Sequence, residues 1–341
     1  MIIQETAYAR AGLVGNPSDI FNGKTISLLF DRFKAQVKLY ETPRLTIVPN
    51  DRDLTSFDSI ENLVSYRKTF GYYGGIRLIE AIIVRFKEYC DQSGIKLGQK
   101  NFTIEYTSDI PFGVGLGGSS SIIKAIFSAM MRFYGLTEKE IPKPIQPNII
   151  LEAETKELGI NAGPQDRVIV VYGGLVSMDF TKEAYKQNDG LHGNYEKLIP
   201  KLLPPLFIAF NEDLSQSSGA VHNIMRYRVS VEHDQKVLEV MSRKAELVDE
   251  ALSELTKGNK DALGPILSRD FDLRKSIYNI VPANLKIIEI AEAEGAHAKQ
   301  TGSGGAAIGT YENEDHYSRL QKSYFKNGFS IFKVDVVDYP E

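Results

Sequence analysis

The sequence predicts an α+β protein built in two parts. Strand-like and helix-like runs are segregated rather than regularly alternating. A polar, irregular stretch at 181–205, with Asn188, Asp189, Gly190 and the pair Pro204 and Pro205, interrupts the chain. The 341 residues also exceed what one hydrophobic core usually serves. The first part is placed at 1–190, the second at 200–341, and a linker within 181–205.

In the first part, residues 102–106 (FTIEY) alternate as a half-buried strand does. Residues 75–90 carry Ile76, Ile79, Ile83 and Phe86 at helical spacing, and 122–133 is apolar on nearly every side, the pattern of a buried helix. In the second part, 206–210 (LFIAF), 306–311 and 330–337 read as strands. Between them, 235–257 reads as a long amphipathic helix with Leu238, Met241, Ala245, Val248, Leu252 and Leu255 on one stripe.

Bulk composition narrows the function classes. Apolar residues make up 43% and charged residues 25%, enough for a sizeable core. The net charge is −4, from 40 basic and 44 acidic residues with no basic stripe, so nucleic-acid binding is not expected. The one cysteine, Cys90, cannot form an internal disulfide and falls in an apolar helical run, where a buried thiol is expected. The N-terminus lacks a basic region followed by an apolar core, and no run approaches the ~20 apolar residues of a membrane span, so a cytoplasmic protein without membrane contact is expected. The five histidines show no metal-ligand spacing.

The most informative segment is IPFGVGLGGSSS at 110–121, between the expected strand and the buried helix. Gly113, Gly115, Gly117 and Gly118 allow left-handed or crowded backbone. Ser119, Ser120 and Ser121 fall where the helix starts, where unpaired N–H groups and the helix dipole favour a phosphate. A glycine-rich turn with a serine cap is the plainer reading, but four glycines and three serines within nine residues favour phosphate binding. The segment contains GxGxxG, yet the region ~20 residues on is the tail of a helix rather than a strand ending in an acid, which excludes a dinucleotide-binding fingerprint. GxxxxGK[ST] is absent from it.

Pro111 with Gly115, Leu116, Gly117, Gly118, Ser119 and Ser120 resembles the central motif of the GHMP kinases. RAGLVGNPSD at 10–19 is similar to that family's N-terminal substrate motif, and KQTGSGGA at 299–306 to its C-terminal glycine loop. The three occur in family order. Gly118 departs from the pattern, since many members have serine there, and this shifts the expected metal contact to Ser119. Within the family the chain most resembles the glucuronokinases, through 15–19 with 23–27, QDRV at 165–168 with 171–180, and DFDLR at 270–274. Heptose-phosphate kinases share parts of this.

The resemblance implies a fold with an N-terminal part like ribosomal protein S5 domain 2 and a ferredoxin-like C-terminal part. It implies ATP- and Mg²⁺-dependent phosphorylation of a sugar hydroxyl, most simply the anomeric one of D-glucuronate, by a monomer or homodimer. Kinases of other sugars or heptose phosphates, a decarboxylase of the family and a non-catalytic binding protein of the same fold are the alternatives. It implies phosphate contacts from Pro111, Gly113, 115–121 and Gly302, Ser303 and Gly304. It also implies metal binding by Ser119 and Glu154, and a catalytic role for Asp166 with Arg10. On spacing alone Glu152, Glu154 and Glu157 are equivalent. For an anionic sugar, Arg10, Lys24 and Arg167 are candidate partners, with Asn16, Asp19 and Arg274 completing the substrate side. Lys24 reads equally well as a surface cation, and Arg274 as a structural partner of Asp270 or Asp272.

Overall fold

The computed structural model describes residues 2–50, 53, 58–61, 63–64, 74–214 and 218–339. Its first sheet is built on one long strand. β1 (Ile2–Val14) pairs antiparallel with β2 (Lys24–Thr42). β2, at 19 residues, is long enough to serve further neighbours. Its C-terminal half pairs with β4 (Asn101–Ser108) and its start with β5 (Leu175–Asp179). β3 (Thr46–Val48) runs parallel to β4, and β6 (Asn194–Leu198) closes the other edge against β5.

Helices α1 (Gly75–Gln92), α2 (Gly118–Tyr134) and α3 (Gln146–Glu152) belong to this part. Ile79, Ile82 and Phe86 of α1 recur every three or four residues, so they share a face. That face packs with Ile123 and Phe127 of α2 on Val37, Leu39 and Ile104 of the sheet. Cys90 lies in the same core, as expected for a buried thiol. α4 (Gln165–Tyr172) sets Val168, Ile169 and Val170 against Leu29, Val176 and Met178.

The second sheet is antiparallel, with β7 (Leu206–Phe210), β8 (Ala298–Gln300), β9 (Ala306–Thr310) and β10 (Ser330–Lys333) in the order β10-β7-β9-β8. With it come α6 (Ser218–Ser230), α7 (Gln235–Thr256), α8 (Leu263–Lys275), α9 (Pro282–Ala293) and α10 (Glu314–Lys326); α5 (Lys182–Gln187) precedes β6. Phe207, Ile287, Leu320 and Tyr324 form its own core. A shared core joins the two sheets: Leu13, Ile26 and Leu28 meet Ile208, Val248 and Ile266. Among the described residues no helix is long and apolar enough to cross a membrane.

Three expectations change. The 181–205 stretch is not an irregular linker, since it holds α5 and edge strand β6. β6 is mostly exposed, and a solvent-facing edge strand needs few apolar residues, which is why it reads as loop. On α7 the buried stripe is rotated. Val237, Met241, Lys244, Val248, Ala251 and Leu255 face inward, while Leu238 is exposed, because a buried ion pair places Lys244 at the centre of the inner face. The strand expected over 330–337 ends at Lys333, and the chain then returns to the first sheet, where Val336 bridges Phe30.

Candidate active site

The three motifs, far apart in sequence, converge on Arg10. This residue lies on β1 and is buried. Its backbone N–H donates to the Leu116 carbonyl at 3.0 Å. Its guanidinium donates to the carbonyls of Gly115 (2.6 Å) and Thr301 (3.4 Å) and to the Asp166 carboxylate (2.6 Å). One side chain thus ties the N-terminal motif, both glycine loops and the start of α4 together.

The two glycine loops touch backbone to backbone. A Cβ on Gly115 would come within 2.9 Å of the Ser303 nitrogen, and one on Gly302 within 2.5 Å of the Gly115 carbonyl oxygen. Gly115 and Gly117 also have φ of 74° and 78°, so both conformation and space select glycine. Gly118 is the first residue of α2, which puts the amides of Gly118, Ser119 and Ser120 at a helix N-terminus. Not every expected phosphate contact is available. Ser121 donates its amide to Gly117 and its hydroxyl to the Tyr8 carbonyl at 2.8 Å, so it serves the fold. The Leu116 side chain is buried in the shared core and its carbonyl accepts from Arg10, neither of which involves its amide; Pro111 is buried and has no N–H to donate. Ser120 is buried, its hydroxyl without a hydrogen-bond partner among the described residues, and Ser119 is half-buried.

The structure separates the three glutamates. Glu152 and Glu157 turn to Arg85 on α1, whereas Glu154 is buried in an ion pair with Arg167. A single π turn, Ala153–Glu157, follows α3 and offsets Glu154 from its neighbours. Arg167 also donates to the Gly163 carbonyl at 2.9 Å and lies 3.6 Å from Asp166. Asp166 sits in the first turn of α4, where the helix dipole favours a carboxylate.

On the substrate side, Asp19 lies in a short turn after a cis Asn16–Pro17 bond. It accepts from the Gln165 amide at 3.2 Å. Burial, with the nearby Asp166 charge, pushes its pKa up to about 6. A Cβ on Gly163 would come within 2.2 Å of the Asp19 carboxylate, so that glycine makes room for it. Asn16 is held by Lys299 and by the Thr301 carbonyl. Behind it lies a fully buried cluster. Asp270 pairs with Lys244, lies 3.6 Å from Lys299 and accepts the Gly15 amide at 2.7 Å. Burial pulls the Lys299 pKa down to about 7, against the Asp270 charge. For Asp270, burial acts upward, but Lys244 and Lys299 outweigh it and keep the carboxylate below its ordinary range.

Arg10, Asn16, Asp19, Asp166, Arg167, Arg274, Gly302 and Ser303 line a single pocket of about 490 Å³, counting space open to solvent. Lys24 is not brought there, since it pairs with Asp249 at 2.8 Å on the outside. Glu154 and Ser119 lie outside the lining. Arg274 pairs with neither Asp270 nor Asp272, because Asp270 is occupied by two lysines and Asp272 pairs with Lys275. Sequence reasoning missed Lys244. Its only signal was a lysine within the apolar periodicity of α7.

Residues 77–174 match the family described as GHMP kinases N terminal domain. Over 98% of this chain, "Probable glucuronokinase 2" of Arabidopsis thaliana is 40% identical and "Glucuronokinase 1" of the same plant 38%, each over 92% of the relative. The chain belongs to the GHMP kinase family. It is a sugar kinase, a phosphotransferase. The fold agrees: the galactokinase of Lactococcus lactis, solved with galactose, superposes with a TM-score of 0.73 over 99% of this chain and 94% of that one, at 14% identity. The two parts of this GHMP kinase therefore meet where the N-terminal motif and the C-terminal glycine loop line one pocket, with the central glycine loop packed against both.

Proposed function

We propose that this kinase transfers the γ-phosphoryl group of ATP to the anomeric hydroxyl of D-glucuronate, giving D-glucuronate 1-phosphate. The observation that carries the reading is the Arg10–Asp166 pair, 2.6 Å apart in a pocket whose wall includes the C-terminal glycine loop. The acceptor is supported by the two Arabidopsis relatives, whose names describe glucuronokinases and whose likeness runs nearly the whole chain.

Asp166 faces the acceptor hydroxyl. One of its oxygens is fixed by Arg10, and the other accepts only a long 3.4 Å bond from Gln165, which leaves capacity for a hydroxyl hydrogen. It orients that hydroxyl or takes its proton as the phosphoryl group leaves ATP. Arg10 keeps the carboxylate in place and offsets its charge. The amides opening α2, with those of Gly302, Ser303 and Gly304, receive phosphate oxygens. Asn16 and Asp19 hold sugar hydroxyls.

Magnesium fits the donors present. It prefers hard oxygens and takes only one or two from protein when phosphates supply the rest. The lack of a three-ligand cluster among the described residues is compatible with that. Glu154 and Ser119 would hold it, and Arg167 keeps the Glu154 carboxylate buried and oriented. When bound, the ion neutralises charge on the transferring phosphoryl group.

Asp166→Asn is expected to lower kcat about 1,000-fold while changing affinity for a non-hydrolysable ATP analogue less than about threefold. ADP release and phosphorus NMR of the product measure this. Unchanged turnover would remove Asp166 from the reaction. Absence of ADP release with glucuronate, alongside turnover of another sugar, would remove the acceptor.

A further inference from the structure

We propose that Arg274 receives the carboxylate of the acceptor and sets the preference of this kinase for a sugar acid over the neutral sugar. The inference rests on the proposed acceptor and deepens it. Arg274 projects from α8 and is only 4% exposed, yet it lines the pocket. Among the described residues its Nε has no hydrogen-bond partner and no carboxylate forms an ion pair with it. Arg10 shares the unpartnered Nε, but it is held by Asp166, as Arg167 is by Glu154, so the missing carboxylate is what sets Arg274 apart.

The surroundings of Arg274 deepen the imbalance. Asp270, one turn earlier on α8, is the nearby acid, and Lys244 and Lys299 already share it. Three buried cations thus stand around one buried carboxylate. Burial draws the Arg274 pKa below its ordinary value, so the site pays for keeping it charged. The ring of Tyr278, 4.7 Å from the guanidinium, supports it from one side, but the Tyr278 hydroxyl is itself buried without a partner among the described residues. Stacking therefore positions the fork without satisfying its donors.

A carboxylate supplies what is missing, because a guanidinium binds it through two parallel hydrogen bonds. Elsewhere in the pocket, Asp19 and Asp166 would repel an acid group. A hexuronic acid carries its carboxylate on C5 and its anomeric hydroxyl on C1, the two carbons flanking the ring oxygen. One ring can therefore present the acid to Arg274 and the hydroxyl to Asp166. A neutral hexose leaves the fork unpaired.

The test compares wild type with Arg274→Gln and Arg274→Lys on D-glucuronate, D-glucose and D-glucose 6-phosphate, with KM for ATP and thermal midpoints recorded. Arg274→Gln should raise the KM for glucuronate about 100-fold, leave the KM for ATP within about threefold, and leave or improve any turnover of glucose. Arg274→Lys, which keeps the charge but loses the fork, should fall between the two, and it carries the test if the glutamine variant does not fold. A glucuronate KM within about threefold of wild type in a folded variant overturns the inference and leaves the acceptor standing. Parallel losses for glucuronate, glucose and ATP also overturn it, since they mark a structural arginine. Turnover of the sugar phosphate but not of glucuronate by wild type overturns the acceptor itself, and this inference with it.

Discussion

Asp19 occupies an unfavourable place for a charge, buried beside Asp166 with one amide donated from Gln165. Its pKa, raised from 3.8 to about 6, means that the folded state holds a proton where the unfolded chain has lost it. Its contribution therefore lowers stability as pH rises from 3.8 to 6, and the full penalty persists above 6. Removing the charge should reverse this. Asp19→Asn is expected to melt close to wild type at pH 4 and several degrees higher at pH 7.5, while losing acceptor affinity; the shift corresponds to about 3 kcal/mol at most. Melting curves at both pH values check it, and an equal difference at the two would refute the burial argument. The glutamates show how far single residues could be read. Glu152, Glu154 and Glu157 lie on one helical stretch, and spacing left them equivalent. A π turn, which no residue type in the segment announces, directs Glu154 inward and the others to Arg85.

The strand–loop–helix unit around the glycine loop was legible because its signals are local: an alternating strand, glycines at turns and an apolar helix. The outcome is β4, the loop and α2. The α7 stripe was misplaced because it was drawn through apolar residues and left out Lys244, whose partner Asp270 only the fold supplies. The local conformation of the loop leads to a paired test. Gly117 and Gly135 both have positive φ, 78° and 69°, but a Cβ at Gly117 would lie 2.6 Å from Arg10 Cγ, whereas nothing lies within 4 Å at Gly135. Gly135→Ala should cost only the backbone term, about 1 kcal/mol, with full activity. Gly117→Ala adds displacement of the arginine that holds Asp166, so kcat should fall at least about tenfold beyond any loss of stability. Urea unfolding and steady-state kinetics on both variants separate the terms. Equal kinetics would mean that the loop tolerates movement of Arg10.

Across the molecule, the two sheets share a core, and a buried ionic cluster crosses between the parts that carry them. Asp270, from α8, accepts the Gly15 amide of the substrate turn, and Lys299, beside the C-terminal glycine loop, holds Asn16. Pairs separated by more than 250 residues have no signature in one sequence, which is why the motifs were legible and their mutual support was not. The cluster should behave as one unit. Lys244→Met leaves the Asp270 carboxylate buried with Lys299 as its remaining lysine, and breaking a buried pair on one side costs about 3–5 kcal/mol. Lys244→Met with Asp270→Asn removes the uncompensated charge and should recover part of that loss, a non-additivity of at least about 1 kcal/mol in urea unfolding. Both variants should also raise the acceptor KM more than the ATP KM, because the cluster fixes Gly15 and Asn16 rather than the loop at α2. Additive stabilities and an unchanged acceptor KM would show that the substrate turn holds its shape without support from the second part.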